Sequence, residues 1–465
     1  MKTPEGRQCL RQLTVEPPYL LVGYAIALSE APFHDLLLRR ICWEMSGIPC
    51  HWCDAIPCHR TVEDEVLPKA ANLLMASKLI EAIIPAVVSS LAGAWSDRAG
   101  SRKPLIIIPL TGYVLKFALL AVFMSIPTLP VECFLISSLP LAFSGGWTTF
   151  AGAVISVIGD ETGEDGSQRT SRLGLLPAFY FMGFLPGSLS SSVTLNTLGN
   201  TGVFLLASGA CFLALLIALC TVSGTYATST GDEGRHESGL VKDVLQTLLK
   251  KRSNGQKIYL ILSILSNGSS TMVSNGESNL YYMHGRKEFG WEIIDFILYR
   301  SVTNGLQMMG AIFAVSILSH KMKIADAPLA IFSYLGSSVG SIIMAFASTT
   351  WMMYCGSAIS LLQGAASPVM RSIMSRSVPH DELGRAFTLS TSFEALAPVA
   401  AQPLYTYLFR KTLISFPGAF FMLSSVMFSL ALMFSCIIHG THKWHSRSER
   451  KSLLPREDST SKLPD

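Results

Sequence analysis

Twelve apolar segments, each about as long as a membrane-crossing helix, constrain this chain more than any other feature of its sequence. A helix needs about 20 mostly apolar residues to cross the hydrocarbon core of a bilayer. Hydrophobic residues make up 49% of the 465-residue chain and charged residues only 15%, too little charge to cover the surface of a soluble protein of this length. We therefore predict an all-α membrane protein with twelve transmembrane helices. The segments, numbered here as spans one to twelve, are residues 15–38, 72–95, 104–125, 131–157, 173–195, 202–222, 257–281, 292–318, 325–347, 349–370, 386–409 and 414–438.

The distribution of Lys and Arg predicts the orientation of these spans. Cytoplasmic loops of membrane proteins carry an excess of Lys and Arg. If the N-terminus is cytoplasmic, the inner segments hold 24 of the 36 Lys and Arg residues and the outer loops hold eight. Both termini are therefore expected in the cytoplasm. These cations are scattered through short loops and form no stripe, so we expect membrane lipid and not nucleic acid as a partner.

A polar stretch at residues 223–256 divides the spans six and six. Two related six-helix bundles around a central site are typical of secondary transporters. We expect a first bundle within residues 1–222, with an outer loop at 39–71, and then the cytoplasmic linker 223–256. A second bundle at 257–438 and a charged, disordered cytoplasmic tail at 439–465 complete the expected organisation.

Three cysteines lie together in the predicted outer loop, at Cys50, Cys53 and Cys58. Cys50 and Cys53 have the CxxC spacing of a zinc site, and His51 and His59 lie near them. The chain has no second CxxC pair, however, and an oxidised loop that faces outward accounts for the cluster as well. We favour a disulfide among the three thiols, and we predict no metal site.

One loop motif carries the strongest local signal, between spans two and three on the predicted cytoplasmic side. Its glycines permit a sharp turn, and its Asp can cap a helix or pair with an Arg across an interface that opens and closes. The alternative is an ordinary basic loop that happens to contain an Asp. The motif reads Gly93-Ala-Trp-Ser-Asp97-Arg98-Ala-Gly100-Ser-Arg102-Lys103-Pro104, and it closely resembles the signature loop of the major facilitator superfamily.

Further segments resemble solute carrier family 46, the group that includes the proton-coupled folate transporter and the thymic stromal cotransporter. They are Val15-Glu16-Pro17, Gly146-Trp-Thr148-Thr149-Phe150-Ala-Gly152-Ala153, Ala347-Ser-Thr-Thr350 and Ser367-Pro-Val-Met-Arg371-Ser372. The resemblance implies the major facilitator fold, an alternating-access mechanism, protons as the coupling ion and an organic anion as cargo. The cysteine that the family carries between spans seven and eight is absent here, so Cys50–Cys58 is the first choice for the disulfide.

The resemblance fails at one functional position. The folate transporter carries an acidic proton-coupling residue early in span five, and this chain has Pro177 there. Folate specificity and that coupling route therefore need not apply. A membrane receptor or scaffold that kept the fold and lost transport is the alternative function.

Charged residues inside the spans are the candidate site residues, because an ionisable group at membrane depth is costly and usually faces the interior of the bundle. Arg371 is expected to hold an anion or form an inner gate, unless it only reaches the lipid headgroups. Glu394 enters from the same side, so the two could meet, with Glu394 taking a proton. Glu277 and Arg300 lie in the outer half and are expected either to work in coupling or to form a structural pair.

The other charged residues have weaker interpretations. Lys78 and Glu81 are three residues apart on one helix face and are expected to pair with each other. Lys116 is isolated, and is either a substrate contact or a structural group. Glu30 and Asp35 are expected to be exposed to solvent at the outer mouth.

No motif indicates an enzyme, since the chain has no Walker loop, HExxH or GxSxG sequence. A small-molecule cargo is the expected partner, and no cofactor is expected. The tail contains Glu449-Arg-Lys-Ser-Leu453-Leu454, which has the spacing of an endolysosomal sorting signal that cytoplasmic adaptors bind. The expected location is thus either the plasma membrane or an endolysosomal membrane.

Overall fold

Helices are the only regular elements in the part of the chain that the structure describes. The computed structural model describes residues 14–46, 60–99, 101–126, 128–162, 166–222, 256–322, 324–378 and 383–453. The α-helices are Glu16–Ser46, Arg60–Ala99, Lys103–Met124, Ser138–Phe143, Gly146–Thr162, Gly166–Thr221, Gln256–Ser278, Leu280–Phe289, Ile293–Phe313, Asp326–Ala345, Thr350–Ile359, Gln363–Arg376, Leu383–Thr412 and Ala419–Leu453, with a 3₁₀-helix at Val131–Ser137 and a π-helix at Ala314–Lys321.

These helices account for all twelve spans, so the all-α prediction is confirmed. Among the described residues, eight helical stretches are long and apolar enough to cross a membrane. One of them, Ala178–Thr221, contains both span five and span six, separated at Gly199, whose φ of 66° ends the first helix. Spans seven, ten and eleven do not qualify, because seven and eleven are rich in polar residues and ten is divided into two short helices; these spans carry Glu277, Arg371 and Glu394. Polar transmembrane helices are expected where they face the interior of a bundle.

Two spans predicted as continuous are interrupted. Span four consists of the 3₁₀-helix, the short helix Ser138–Phe143 and the helix Gly146–Thr162. Gly145 has a φ of 89°, and a Cβ added there would lie 2.2 Å from the hydroxyl oxygen of Thr149, so only glycine fits this turn. Span ten ends its first helix at Ile359 and begins its second at Gln363. Backbone breaks at membrane depth are tolerated where protein surrounds them.

Small residues allow spans one and five to pack backbone to backbone. A Cβ added at Gly183 would lie 1.9 Å from the carbonyl oxygen of Leu20, and one at Gly187 would lie 2.4 Å from the carbonyl oxygen of Tyr24. The two glycines are four residues apart, so they form one smooth strip on span five. This close contact fixes span one against the rest of the first six spans.

The first half of the chain (spans one to six) touches the second half (spans seven to twelve) at the end of the bundle where Ser46 lies, which we call the outer end. Tyr282 donates to Asp35 across 2.8 Å, Arg410 donates to Asn72 across 3.3 Å, and Lys287 pairs with Asp64. Among pairs in which both residues are described, no hydrogen bond joins the opposite, inner ends of the halves. The described part of the bundle is therefore held closed at its outer end.

The last helix continues beyond the predicted end of span twelve to Leu453, so the expectation of a disordered tail from His439 is wrong for residues 439–453. The sequence has no proline between His439 and Leu454, and nothing there ends the helix. Residues 223–255, with most of the predicted linker, lie outside the described residues. So do Cys50, Cys53 and Cys58, and their disulfide stays a prediction.

Candidate functional site

An ion pair between spans ten and eleven forms the inner part of the site. Arg371 donates from Nη2 to Oε2 of Glu394 across 2.9 Å. The other carboxylate oxygen, Oε1, accepts hydrogen bonds from the Asn267 amide at 2.6 Å and the Ser390 hydroxyl at 2.9 Å. The Arg371 side chain is 43% exposed and the Glu394 side chain 17%. The structure thus brings together the two residues that the sequence placed near each other, and it leaves part of the guanidinium open to an anion.

Four aromatic side chains from the first half form a wall, which we call the aromatic wall: Tyr19, Trp147, Phe150 and Tyr180. Ring centroids are 5.3 Å apart for Tyr19 and Trp147, and 5.9 Å apart for Tyr19 and Tyr180. The hydroxyl of Tyr19 lies within electrostatic range of Arg371. An apolar surface beside a partly free guanidinium suits an amphiphilic anion. This wall was not predicted from the sequence, although Trp147 and Phe150 lie three residues apart within the Gly146–Ala153 segment.

A second ion pair joins the two halves nearer the outer end. Arg300 of span eight donates to Glu30 of span one across 3.5 Å, and its guanidinium lies 5.6 Å from the ring centroid of Tyr281. The Tyr281 hydroxyl in turn donates to Glu277 across 2.7 Å. Arg300 therefore reaches Glu277 only through an aromatic ring, and its direct partner is Glu30. The expectation that Glu30 is a solvent-exposed group is wrong.

Asp35 is fully buried, contrary to expectation, whereas Glu30 is only partly covered. Its side chain is 2% exposed, and it accepts hydrogen bonds from Arg39 at 2.5 Å and from the Tyr282 hydroxyl at 2.8 Å. Tyr282 lies on the short helix Leu280–Phe289, which continues span seven, so this helix supplies one partner of Asp35. Sequence position showed that Asp35 lay near the membrane surface, but not that another span would cover it.

Lys116 is paired within the first half. Its ammonium contacts Oε1 of Glu81, and the same oxygen accepts a hydrogen bond from Ser138 at 2.9 Å. Glu81 thus uses a lysine from span three as its partner, so the expected pair of Lys78 with Glu81 is wrong, and so is the expectation that Lys116 is isolated. Lys78 is exposed, and its charge interacts with those of Glu81 and Glu30.

The described part of the loop motif is tied to neighbouring spans. Arg102 donates to Asp160 of span four across 3.3 Å, and Lys103 donates to the carbonyl oxygen of Leu219 in span six across 2.7 Å. The helix Arg60–Ala99 runs through Gly93, Asp97 and Arg98, whose side chains lie outside the description, as does Gly100 altogether. The gating role of this motif stays a prediction.

One of the resembling segments, Val15-Glu16-Pro17, is tied to neighbouring spans at the inner end of the first half. Arg172 contacts Glu16 at 2.7 Å and Glu161 at 2.8 Å, and Glu16 is 1% exposed. A buried carboxylate needs such a cation, because an unpaired charge in the interior is strongly destabilising. Within the described ranges, no group of three or more His, Cys, Asp or Glu side chains has the geometry to hold a metal ion.

Twelve spans in two halves, with charged pairs between and beside them, are the architecture typical of a secondary transporter. The family model described as Major Facilitator Superfamily matches residues 68–327 and 322–463, and the chain belongs to this family. The fold matches that of the peptide transporter POT in complex with sulfate, with a TM-score of 0.63 and 14% identity over 92% of this chain and 95% of that one. It also matches a D-xylose-proton symporter, with a TM-score of 0.63 and 16% identity over 91% and 96% of the two chains.

Within the superfamily, the chain is related to solute carrier family 46. It is 25% identical to the probable peptidoglycan muropeptide transporter SLC46 of Drosophila melanogaster, over 95% of this chain and 87% of that protein. It is 24% identical to the lysosomal proton-coupled steroid conjugate and bile acid symporter SLC46A3 of Homo sapiens, over 98% of this chain and 100% of that one. It is also 24% identical to the proton-coupled folate transporter of Rattus norvegicus, over 88% of each chain. The resemblance predicted from the motifs is confirmed.

Proposed function

We propose that this transporter carries an organic anion together with a proton by alternating access. The observation that carries the proposal is the pair of Arg371 and Glu394, in which a partly exposed cation is held by a carboxylate that can accept a proton. Two relatives that are proton-coupled carriers support the coupling ion, and one of them is a symporter of steroid conjugates and bile acids.

The pair suggests how cargo and proton are coupled. An anionic group that binds Arg371 competes with Glu394 for the guanidinium, and a released carboxylate in a partly dry site favours the protonated form. Cargo binding and proton uptake then occur together. The aromatic wall supplies apolar contact for the body of the cargo. This route needs no acid in span five, where Pro177 stands.

The proposal predicts proton-driven uptake by the purified protein. In proteoliposomes, an inward-directed proton gradient should accelerate the entry of radiolabelled taurolithocholate, a bile acid conjugate with one sulfonate, at least about tenfold over no gradient. A muropeptide and a folate extend the panel, and a protonophore should remove the stimulation. Strong binding of a panel compound without flux would instead favour the alternative function, a receptor or scaffold that lost transport.

We also propose an endolysosomal location, with sorting adaptors as partners of the tail. Replacing Leu453 and Leu454 with alanine should move a tagged protein from endolysosomes to the plasma membrane, measured by surface biotinylation and organelle markers. Leu453 is the last residue of the final helix, and helix ends fray, so an adaptor can bind it as extended chain. The neighbouring change Ser452→Ala serves as the control. A wild-type protein found only at the cell surface would refute the proposal and leave an uptake system there.

A further inference from the structure

A small cavity lies between the two halves, around the second ion pair. Glu30 of span one, Ser188 and Phe184 of span five, and Phe296, Arg300 and Asn304 of span eight line it. Ser188 and Ser301 share a hydrogen bond of 2.7 Å beside it. Both halves therefore contribute polar groups to one small, partly open cavity.

The cavity has more hydrogen-bond donors than acceptors. Arg300 carries five N–H groups, yet its described polar contact is a single 3.5 Å hydrogen bond to Glu30. Asn304 lies four residues further along span eight, on the same face of the helix. Its Nδ2 atom is buried and has no hydrogen-bond partner among the described residues. Burying an amide without a hydrogen-bond partner is unfavourable, and a ligand oxygen that accepts its hydrogen bond would remove that penalty.

The charges around the cavity also favour an anion. Three cations, Arg300, Lys78 and Lys116, lie around the two carboxylates of Glu30 and Glu81. Glu277 lies on the far side of Tyr281, is 6% exposed, and has no ion-pair partner within the described ranges. An unpaired carboxylate is too costly to bury, so Glu277 is best accommodated as a neutral acid. One further negative charge would balance this part of the bundle.

The aromatic wall connects this cavity to Arg371. The hydroxyl of Tyr19 lies within electrostatic range of Arg371, and the Tyr19 and Tyr180 rings lie 5.9 Å apart. The Tyr180 ring lies 5.7 Å from that of Phe184, which lines the cavity. An elongated molecule lying along the wall would therefore have a guanidinium group at each end.

We infer that Arg300 and Asn304 form a second anion subsite, and that the preferred cargo carries an anionic group at each end of a rigid apolar body. This inference rests on the proposed function and specifies its cargo. The second anionic group replaces Glu30 as the partner of Arg300. It also accepts a hydrogen bond from the side-chain amide of Asn304. Since the pair of Glu30 and Arg300 joins the two halves, the cargo then replaces a contact between them.

Two bile acids that differ at one end test the subsite. Taurolithocholate has a sulfonate at one end and a neutral hydroxyl at the other, and its 3-sulfate has an anion at both ends. In proteoliposomes, the 3-sulfate should show a KM at least about tenfold lower than taurolithocholate. In Asn304→Leu the KM of the 3-sulfate should rise about fivefold, while that of taurolithocholate stays within about twofold. The control Thr303→Val, whose hydroxyl instead faces Ser357, should change neither value.

The double variant Glu30→Gln with Arg300→Gln removes both charges, so it leaves no buried charge unpaired. It should abolish the preference for the 3-sulfate. Equal KM values for the two bile acids in the wild type, or equal losses for both in Asn304→Leu, would overturn the inference. Absence of flux for both would refute the proposed function alone, because binding of the two compounds, measured by thermal shift, still shows whether the second anion adds affinity.

Discussion

Replacing Arg371 with alanine is expected to abolish proton-driven uptake, with a fall of about 100-fold or more in kcat/KM for an anionic cargo. The guanidinium supplies the charge that holds the cargo in the proposed site. Its loss also leaves Glu394 with only neutral donors, from Asn267 and Ser390. Uptake in proteoliposomes measures the effect, and the amount of folded protein in the membrane should stay near the wild-type value.

Arg376→Ala is the matched control for this variant. Arg376 lies five residues further along the same helix, its side chain is 75% exposed, and it pairs with Asp326 at 3.4 Å. Its removal should leave the uptake rate within about twofold of the wild-type value, since exposed ion pairs contribute little to stability. Arg371→Lys should restore activity partly if the cargo is held by two parallel hydrogen bonds, and fully if a point charge suffices. Retained uptake in Arg371→Ala would show that the anion binds elsewhere.

Glu394→Gln is expected to uncouple transport from protons. Glutamine has nearly the same shape and can still accept hydrogen bonds from Asn267 and Ser390, but it cannot exchange a proton at this site. Stimulation by an inward proton gradient should therefore fall from at least about tenfold to within about twofold. Exchange of labelled for unlabelled cargo across the membrane should persist, because that process needs no net proton movement.

Glu277→Gln provides the comparison for the second prediction. Glu277 is buried and is bonded to Tyr281, and it is the other carboxyl group that could carry the coupling proton. The Arg371–Glu394 mechanism predicts that this variant keeps its response to the gradient. If Glu277→Gln loses the response and Glu394→Gln keeps it, the coupling site is in span seven and the mechanism proposed here is wrong.

The sequence predicted well how deep each charged residue lies in the membrane. It predicted poorly which neighbouring helix each charged side chain faces. Arg371 and Glu394 were expected to meet because both lie a few residues from the same face of the membrane, on consecutive spans. Glu30 and Arg300 are 270 residues apart, and Glu81 and Lys116 are 35 apart on different spans. Such pairs depend on how helices rotate and pack against each other, and apolar segments with few charges give no periodicity that would fix the rotation.

Local breaks within spans were equally hard to predict. Hydropathy averages over about 20 residues, so it identified span four and span ten but not the turns inside them. Gly145 and Gly146, with φ values of 89° and 56°, were visible in the sequence as a glycine pair. The sequence did not show that they form a turn, because the need for glycine comes from Thr149, which fills the space that a side chain at Gly145 would occupy.

The contacts that close the outer end set the energy scale of the transport cycle. They are single polar pairs, including Tyr282 with Asp35, Lys287 with Asp64, and Arg410 with Asn72. Each such pair contributes about 1 kcal/mol, so these polar contacts together add only a few kcal/mol to the stability of the closed state. A free-energy gap of that size between the closed and open states would leave the minor state populated at roughly 0.1–10%. Under the proposed symport mechanism, the empty carrier would therefore sample both states thermally and return unloaded after each delivery.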